Sequence, residues 1–285
     1  MNDVLSVILE PLNYPFMARA LLATLATATV CAVLSCWLVL TGWSLMGDAV
    51  SHAVLPGVVL SYALGLPFAV GAVVFGLLTV WLIGGVNRTT RIKEDASIGI
   101  VFTTLFALGL VMVSMTPSPV NLDHIIFGNL LGVSPGDLIQ VAVLSAVCLT
   151  VLLLKRRDLT LYAFDPRHAH VLGLRPRVLG GILLGALAVT CVVALQAVGV
   201  VLVVAMLIIP GATALLLTNR FGTMLMVAVG LSLFCSVCGV YASYYVGTST
   251  GGTVVLCQGM MFCVVWTITR MRRILAVRFE RLSMG

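Results

Sequence analysis

Two ionisable side chains, Asp48 and His52, lie inside an otherwise apolar stretch of small residues, GWSLMGDAVSHAVLPGVV (42–59). They are four residues apart, so an α-helix would place both side chains on one face, about one turn from each other. A carboxylate oxygen and an imidazole nitrogen at that spacing could hold one metal ion between them. Within a membrane, ionisable residues cost roughly 2.5–3.5 kcal/mol each on insertion scales and are usually paired and functional. Asp48 and His52 are therefore the candidate metal ligands.

The same pair also has a purely structural interpretation. Asp48 could be the N-cap of a helix that starts at Ala49, and His52 could hydrogen-bond a neighbouring helix. Both interpretations stay open at this point.

Proline and glycine residues near the pair predict an irregular backbone. Pro56 has no N–H, so the carbonyl of His52 loses its helical partner and the helix is expected to kink there. Gly47 and Gly57 flank the segment and allow the close approach of another backbone. We expect these residues, together with Pro210 further along the chain, to shape the path around the pair.

One Asp and one His do not complete a metal coordination shell. If two such chains meet at a two-fold axis, the pair contributes twice, and two carboxylates balance the charge of a divalent cation. Oxygen and nitrogen ligands without thiolate suit Mn²⁺, Fe²⁺ or Zn²⁺. If the ion is a transported substrate, the site must also release it, so modest affinity is an advantage. No permanently bound cofactor is expected.

Other residues of metal-ligand type are weaker candidates. His168 and His170 are two apart in a basic segment, where a solvated role is expected. Asp123 and His124 are adjacent in a polar stretch and could meet an entering cation without forming a tight site. The eight cysteines lie almost entirely in apolar runs and are expected to be small core residues. They are Cys31, Cys36, Cys148, Cys191, Cys235, Cys238, Cys257 and Cys263.

The composition defines the elements that must hold the pair. Of the 285 residues, 61% are hydrophobic and 9% charged, whereas soluble domains have roughly 45–50% and about 25%. This excludes a water-soluble fold and predicts an all-α polytopic membrane protein, with about eight or nine transmembrane helices of about 20 residues. A single transmembrane domain over residues 1–285 is expected. The predicted spans are near 17–40, 48–65, 68–85, 97–116, 137–154, 178–197, 199–217, 222–246 and 252–270.

The basic residues predict the orientation of the chain. The net charge of +6 comes from clusters near residues 88–93, 155–177, 220 and 270–281. This distribution follows the positive-inside pattern and does not indicate nucleic acid as a partner. The clusters are therefore expected in the cytoplasm, with the N-terminus outside and the C-terminus inside.

Two further stretches interrupt the apolar pattern. Residues 117–136, PSPVNLDHIIFGNLLGVSPG, predict an outward-facing loop or re-entrant segment. Residues 155–177, KRRDLTLYAFDPRHAHVLGLRPR, predict a cytoplasmic loop with a short helix. Asp165 would be its N-cap, Pro166 its first residue, and Gly173 would follow its end. The helix is a candidate docking element, and a surface helix without a partner is the alternative.

The sequence lacks the features of a self-powered pump. The only lysines, Lys93 and Lys155, do not follow the glycine pattern of a phosphate-binding loop. The spans also contain too few Asp, Glu and His residues for a proton relay. A separate ATPase that docks on residues 165–173 fits better, and a stand-alone secondary transporter or channel is the alternative.

Several motifs resemble those of one family. In chain order they are GDAVSHAVLPG (47–57), KEDASIGIVF (93–102), FDPRHAHVLGL (164–174), IIPGATALLL (208–217) and TGGTVVL (250–256). Together they strongly resemble the permease subunits of bacterial metal-ion ABC importers, in the manganese, iron and zinc branch. The resemblance covers nearly the whole chain.

The resemblance implies a type II importer in the bacterial cytoplasmic (inner) membrane. Its partners would be a second permease, in a homodimer or heterodimer, a cytoplasmic ATPase dimer, an extracytoplasmic metal-binding protein and membrane lipid. In that family the Asp and His of the first motif contact the metal, which corresponds to Asp48 and His52. The sequence SHAVLPG resembles the manganese and iron members of the family more than the zinc members, so zinc is the alternative substrate. The family's coupling helix corresponds to 164–174, where contact with the ATPase is expected from Phe164, Asp165, Pro166, His168, Ala169, Leu172 and Gly173.

Overall fold

Helices make up nearly all of the part of the chain that the structure describes. The computed structural model describes residues 13–115 and 134–283, which contain no β-strand. In chain order the helices are α1 (Pro15–Thr41), α2 (Ser44–Ala53), α3 (Leu55–Leu64), α4 (Phe68–Thr89), α5 (Glu94–Met115), α6 (Pro135–Leu154), α7 (Arg156–Phe164), α8 (Pro166–Val171), α9 (Pro176–Val198), α10 (Val200–Leu217), α11 (Phe221–Val246) and α12 (Thr250–Ser283).

Eight stretches of these described residues are helical, long and apolar enough to cross a membrane. They are α1, α2 together with α3, α4, α5, α6, α9, α11 and α12, which confirms the predicted all-α membrane fold. The predicted span at 199–217 corresponds to the shorter α10. Its apolar stretch, Leu202–Leu217, falls below the length of the other spans. The orientation of the termini stays a prediction.

The predicted span at 48–65 differs from the structure in its start and its continuity. The helical segment begins at Ser44 and is divided at Val54 into α2 and α3. Pro56 follows two residues later and cannot donate a hydrogen bond to the carbonyl of His52. The interruption therefore lies where the proline predicts a kink.

The central helix of the fold is α1. Its most apolar stretch is 72% buried, compared with 22% for the corresponding stretches of α5, α6 and α12. It packs against α6, α9, α10 and α11. It ends at Gly42, whose positive φ of 78° lets Gly42 N–H and Trp43 N–H donate to carbonyls of the last helical turn. This sharp end leads the chain directly into α2.

A polar contact holds α10 against α1 beside a proline. Pro210 lies inside α10 and removes one backbone donor from that helix. The hydroxyl of Ser35 on α1 accepts a hydrogen bond from Gly211 N–H at 2.9 Å and donates to the carbonyl of Ile208 at 3.3 Å. A Cβ atom on Gly211 would overlap Ser35. The central helix thus positions α10 around its proline.

The hairpin of α3 and α4 depends on two facing glycines. The N–H of Gly71, near the start of α4, donates to the Ser61 hydroxyl at 3.0 Å. A Cβ atom on Gly71 would overlap the backbone carbonyl of Gly57, and a Cβ atom on Gly57 would overlap that of Gly71. The two helices can approach this closely only because neither position carries a side chain.

The substitution Gly71→Ala is expected to destabilise the protein by about 1–3 kcal/mol, because the added methyl group meets backbone atoms that cannot rotate away. Gly85→Ala on the same helix is the matched control, since a Cβ atom there meets nothing within 4 Å. Thermal unfolding of the purified protein in detergent measures both effects. Equal unfolding midpoints for the two variants would contradict this account of the hairpin.

Candidate functional site

Asp48 and His52 both lie on α2, the short helix that follows the central one. Asp48 is the fifth residue of this helix, which begins at Ser44. The interpretation of Asp48 as the N-cap of a helix starting at Ala49 is therefore wrong. Its carboxylate is not used to cap a helix end and remains free for another role.

The two side chains meet on one face of α2. His52 Nε2 lies 3.4 Å from Asp48 Oδ1, and the side chains are 31% and 41% exposed, respectively. Metal–nitrogen and metal–oxygen bonds of about 2.0–2.2 Å would place two ligands of one ion about 3.0–3.5 Å apart. The observed separation is therefore compatible with both atoms binding the same ion.

A cavity of about 450 Å³ opens in front of the pair. Among the described residues that line it, Asp48 and His52 are the polar ones. The remaining wall comes from α10 and consists of Val204, Ala205, Ile208 and Ile209. Apolar walls lower the local dielectric constant and strengthen the attraction between the carboxylate and a cation. The sequence placed Asp48 and His52 correctly on one face and pointed to Pro210 of α10, but it did not indicate which α10 side chains would line the cavity.

The His52 ring is covered by two phenylalanines of α5. Its centroid lies 5.5 Å from that of Phe102 and 5.4 Å from that of Phe106. These contacts restrict the orientation of the imidazole, which keeps Nε2 on the side of Asp48. Sequence reasoning missed both residues, although they are four apart on one predicted span and Phe102 ends the KEDASIGIVF motif.

Small residues hold the backbone of α2 close to its neighbours. A Cβ atom on Gly47 would lie 3.1 Å from Leu207 Cδ1 of α10, so Gly47 permits the close approach of the two helices. The Cys191 thiol of α9 donates to the Gly47 carbonyl at 3.6 Å. The Ser51 hydroxyl donates to the Asp48 carbonyl at 2.8 Å. These contacts hold the backbone at Gly47 and Asp48 in place. The roles predicted for Gly47, Pro56, Gly57 and Pro210 in shaping a path stay predictions.

No third residue completes a metal site within the described ranges. Residues 13–115 and 134–283 contain no group of three or more His, Cys, Asp or Glu side chains placed to hold a metal ion. Asp123 and His124 lie outside the described residues. An ion held at Asp48 and His52 therefore finds no third His, Cys, Asp or Glu ligand among the described residues.

The cysteines only partly follow the prediction of core residues. All eight are free thiols. Cys238 and Cys263 are exposed and Cys257 is intermediate, which corrects the prediction for these three. Each lies on a membrane-spanning helix, where an outward-facing position is as apolar as the core. Hydropathy alone therefore does not separate the two environments. The buried cysteines are Cys31, Cys36, Cys148, Cys191 and Cys235.

The predicted docking helix is present as α8. Asp165 is its N-cap and accepts hydrogen bonds from Arg167 N–H at 2.9 Å and His168 N–H at 3.0 Å. Pro166 is the first helical residue, and Gly173 follows the end with a positive φ of 81°. The short helix is thus closed at both ends by the residues that the sequence indicates.

The Asp165 carboxylate that caps α8 is ionised at neutral pH. The hydrogen bond from His168 N–H, supported by that from Arg167 N–H, lowers the pKa of Asp165 below its usual value. A lowered folded-state pKa means that the cap stabilises the folded helix at neutral pH. This contribution is lost only as the pH falls through the lowered value.

Apolar side chains at the two ends of α8 are exposed, and nothing in the described chain covers them. Phe164, the last residue of α7, is 63% exposed, and Leu172, the C-cap of α8, is 60% exposed. Ala169 is fully buried against the protein, so it is not placed for the partner contact expected of it. His168 is exposed, as is His170, in agreement with the solvated role predicted for both. Exposed apolar residues beside a rigid turn are typical of a contact surface.

The segment around α8 is more helical than predicted. Residues 155–177 contain a second helix, α7, and α9 already begins at Pro176. Leu159 on α7 is fully buried, and Trp37 Nε1 of α1 donates to the Thr160 hydroxyl at 3.3 Å. Similarly, Pro135 and Gly136 of the predicted outer loop already belong to α6. The rest of that loop lies outside the described residues.

The chain matches proteins of one family over nearly its full length. The sequence profile of the ABC 3 transport family matches residues 13–269. A manganese transport system membrane protein, MntB of Synechocystis, is 51% identical over 257 residues, covering 90% of this chain and 84% of the relative. A probable iron transport system membrane protein of Haemophilus influenzae is 50% identical over 265 residues, covering 93% of this chain and 98% of the relative.

A solved structure supports the same relationship. PsaBC from Streptococcus pneumoniae, in complex with a Fab, superposes with a TM-score of 0.88 at 34% identity, covering 96% of this chain and 99% of that chain. The chain therefore belongs to the ABC 3 transport family, as a multi-pass membrane permease.

Proposed function

We propose that this chain is the permease subunit of an ATP-driven importer for Mn²⁺ or Fe²⁺, and that Asp48 and His52 bind the ion during its passage. The observation that carries the proposal is the 3.4 Å separation of His52 Nε2 and Asp48 Oδ1 at the wall of an apolar cavity. The names of the relatives, a manganese and a probable iron transport system membrane protein, support this choice of ion.

The ligand chemistry favours a transition metal over Mg²⁺ or Ca²⁺. Mg²⁺ and Ca²⁺ prefer sites made only of oxygen ligands, whereas imidazole nitrogen suits divalent transition metals. The carboxylate of Asp48 supplies a negative charge in surroundings where a cation would otherwise lose its hydration without compensation. Asp48 and His52 are both partly exposed in the cavity, so the ion can enter and leave.

A second permease would complete the coordination shell. The cavity in front of Asp48 and His52 is open, and no further ligand from the described residues reaches it. A second copy, or a related chain, placed across this opening would bring its own pair to the same ion. Two carboxylates would then balance a divalent charge.

The energy would come from a cytoplasmic ATPase dimer that docks on α8. The exposed side chains of Phe164 and Leu172 offer it an apolar contact, and the Asp165 cap keeps this helix folded in the absence of a partner. An extracytoplasmic metal-binding protein would deliver the ion on the opposite side of a bacterial cytoplasmic membrane. In this arrangement the N-terminus lies outside and the basic C-terminus inside.

Replacing either ligand is expected to abolish metal uptake. Replacing a residue that only hydrogen-bonds a metal ligand lowers metal affinity by about 10–100-fold. Replacing a ligand itself should cost more, so Asp48→Asn and His52→Ala should each reduce uptake by about 100-fold or more. Uptake of radioactive metal by cells or proteoliposomes measures the effect. Asp158→Asn is the control, because its exposed ion pair with Lys155 lies outside the cavity. Uptake by both ligand variants at the level of the control would refute the proposed site.

Removing the α8 cap is expected to weaken ATPase association while leaving metal binding intact. Asp165→Ala removes the acceptor for two backbone N–H groups, and association should fall by about fivefold if docking needs the folded helix. Asp165→Asn is the matched control, since Asn caps helices about as well as Asp. Co-purification with the ATPase separates the two. The same yield of ATPase from both variants would show that this helix does not carry the contact.

Competition between metals is expected to separate manganese or iron from zinc import. Excess Mn²⁺ or Fe²⁺ should suppress uptake of the labelled ion more strongly than Zn²⁺ does, although Zn²⁺ binds most nitrogen and oxygen sites more tightly than either. Stronger suppression by Zn²⁺ in the assembled transporter would instead identify a zinc importer. Uptake into vesicles that lack ATP and the ATPase would identify a stand-alone transporter.

A further inference from the structure

A second cavity, of about 430 Å³, lies between α7 and the start of α11. Arg156 and Arg157 contribute two positive charges to its lining. The rest of the lining is uncharged and mostly apolar, and consists of Thr160, Leu161, Phe164, Phe221 and Gly222. It is separate from the cavity at Asp48 and His52, with which it shares no lining residue.

The two guanidinium groups have no acidic partner among the described residues. The ion pairs in residues 13–115 and 134–283 join His52 to Asp48 and Lys155 to Asp158. Arg156 and Arg157 therefore bring an uncompensated charge of two to one cavity. Arginine presents a planar set of donors that matches the oxygens of a phosphate group.

The opposite wall also favours a negative charge. No side chain caps the first turn of the 26-residue helix α11, so its N-terminal backbone N–H groups and the positive end of its dipole face this region. Gly222, its second residue, lines the cavity without a side chain that would screen them. The helix end adds to the charge of the two arginines and does not act alone.

The walls of the cavity are held by the central helix. The Trp37 side chain is fully buried, its Nε1 donates to Thr160 at 3.3 Å, and its ring lies 5.1 Å from that of Phe221. One side chain of α1 thus joins α7 to α11. The cavity is therefore part of the packed fold.

The position of the cavity indicates an occupant from the membrane. Arg156 follows the apolar end of α6 by two residues, and Leu154 at that end is 79% exposed. Phe221 opens a membrane-spanning helix. Both walls therefore lie at the boundary where lipid headgroups are found, and Leu161 and Phe164 offer apolar contact to the adjoining glycerol and acyl groups.

We propose that this cavity binds the phosphate headgroup of an anionic phospholipid of the cytoplasmic leaflet. Basic cavities between membrane helices on the cytoplasmic side recognise such headgroups through the same combination of charge and apolar contact. The site shares no residue with the metal-ligand cavity, and it shares Phe164 with the apolar surface beside α8.

The test is a titration of phosphatidylglycerol into the purified full-length chain in a neutral detergent, with the thermal midpoint and lipid retention by native mass spectrometry as readouts. The protein should be stabilised by phosphatidylglycerol and not by phosphatidylcholine or inorganic phosphate. The double variant R156Q/R157Q should bind phosphatidylglycerol about tenfold or more weakly. The double variant R175Q/R177Q, which removes the same charge from exposed positions outside the cavity, should bind like the unsubstituted chain.

A second variant, Gly222→Asp, separates loss of lipid binding from misfolding of the protein. A Cβ atom at this position meets nothing within 4 Å, and an acidic residue in the first turn favours the helix. The variant should therefore fold normally and still lose lipid binding, because its carboxylate repels the phosphate.

Three outcomes would overturn the proposal. The first is equal binding of phosphatidylglycerol by R156Q/R157Q and R175Q/R177Q. The second is the same stabilisation by inorganic phosphate, which would identify a site for a free anion. The third is loss of ATPase co-purification in R156Q/R157Q with lipid binding intact, which would assign the cavity to the protein partner.

Discussion

A carboxylate and an imidazole in an apolar membrane interior are tolerated only when they lie next to each other and next to compensating charge. Asp48 and His52 satisfy the first condition through their spacing on α2. The second condition leaves them turned toward an open cavity, where a cation can supply the charge. Much of the surrounding fold can be understood as the support for this arrangement. The central helix fixes α10, α10 forms the apolar wall, and α5 covers the imidazole.

The parts of this arrangement that depend on local chemistry could be predicted from the sequence. The helical spacing of Asp48 and His52 needs only the geometry of one turn. The cap of α8 follows from an aspartate, a proline and a glycine in the order that helix ends require, and Asp165 accepts the expected hydrogen bonds. The membrane spans follow from long apolar stretches. In each case the signal and the structure it specifies lie within a few turns of chain.

The parts that depend on distant contacts could not be predicted. Phe102 and Phe106 reach His52 across about fifty residues of sequence, and nothing in their own span indicates which neighbour they cover. The helix α7 was missed because its sequence is polar and short. It is held largely by the burial of Leu159 and the contact with Trp37. The exposed cysteines show the same difficulty, since lipid and protein core favour the same residue types.

The interruption at Val54 divides one membrane segment into two helices that pack against partly different neighbours. The α3 part is locked to α4 through Gly57 and Gly71, the α2 part packs against α9 and α10, and α5 contacts both parts. His52 is the last residue but one before the joint, and its carbonyl accepts a hydrogen bond at the cap of α2, because Pro56 cannot supply the usual donor. A continuous helix moves as a rod, whereas a helix interrupted at a proline has fewer hydrogen bonds across the joint and bends there more easily. A tilt of α2 would therefore change the geometry of the Asp48 and His52 pair while the hairpin beside it stays anchored in the bilayer.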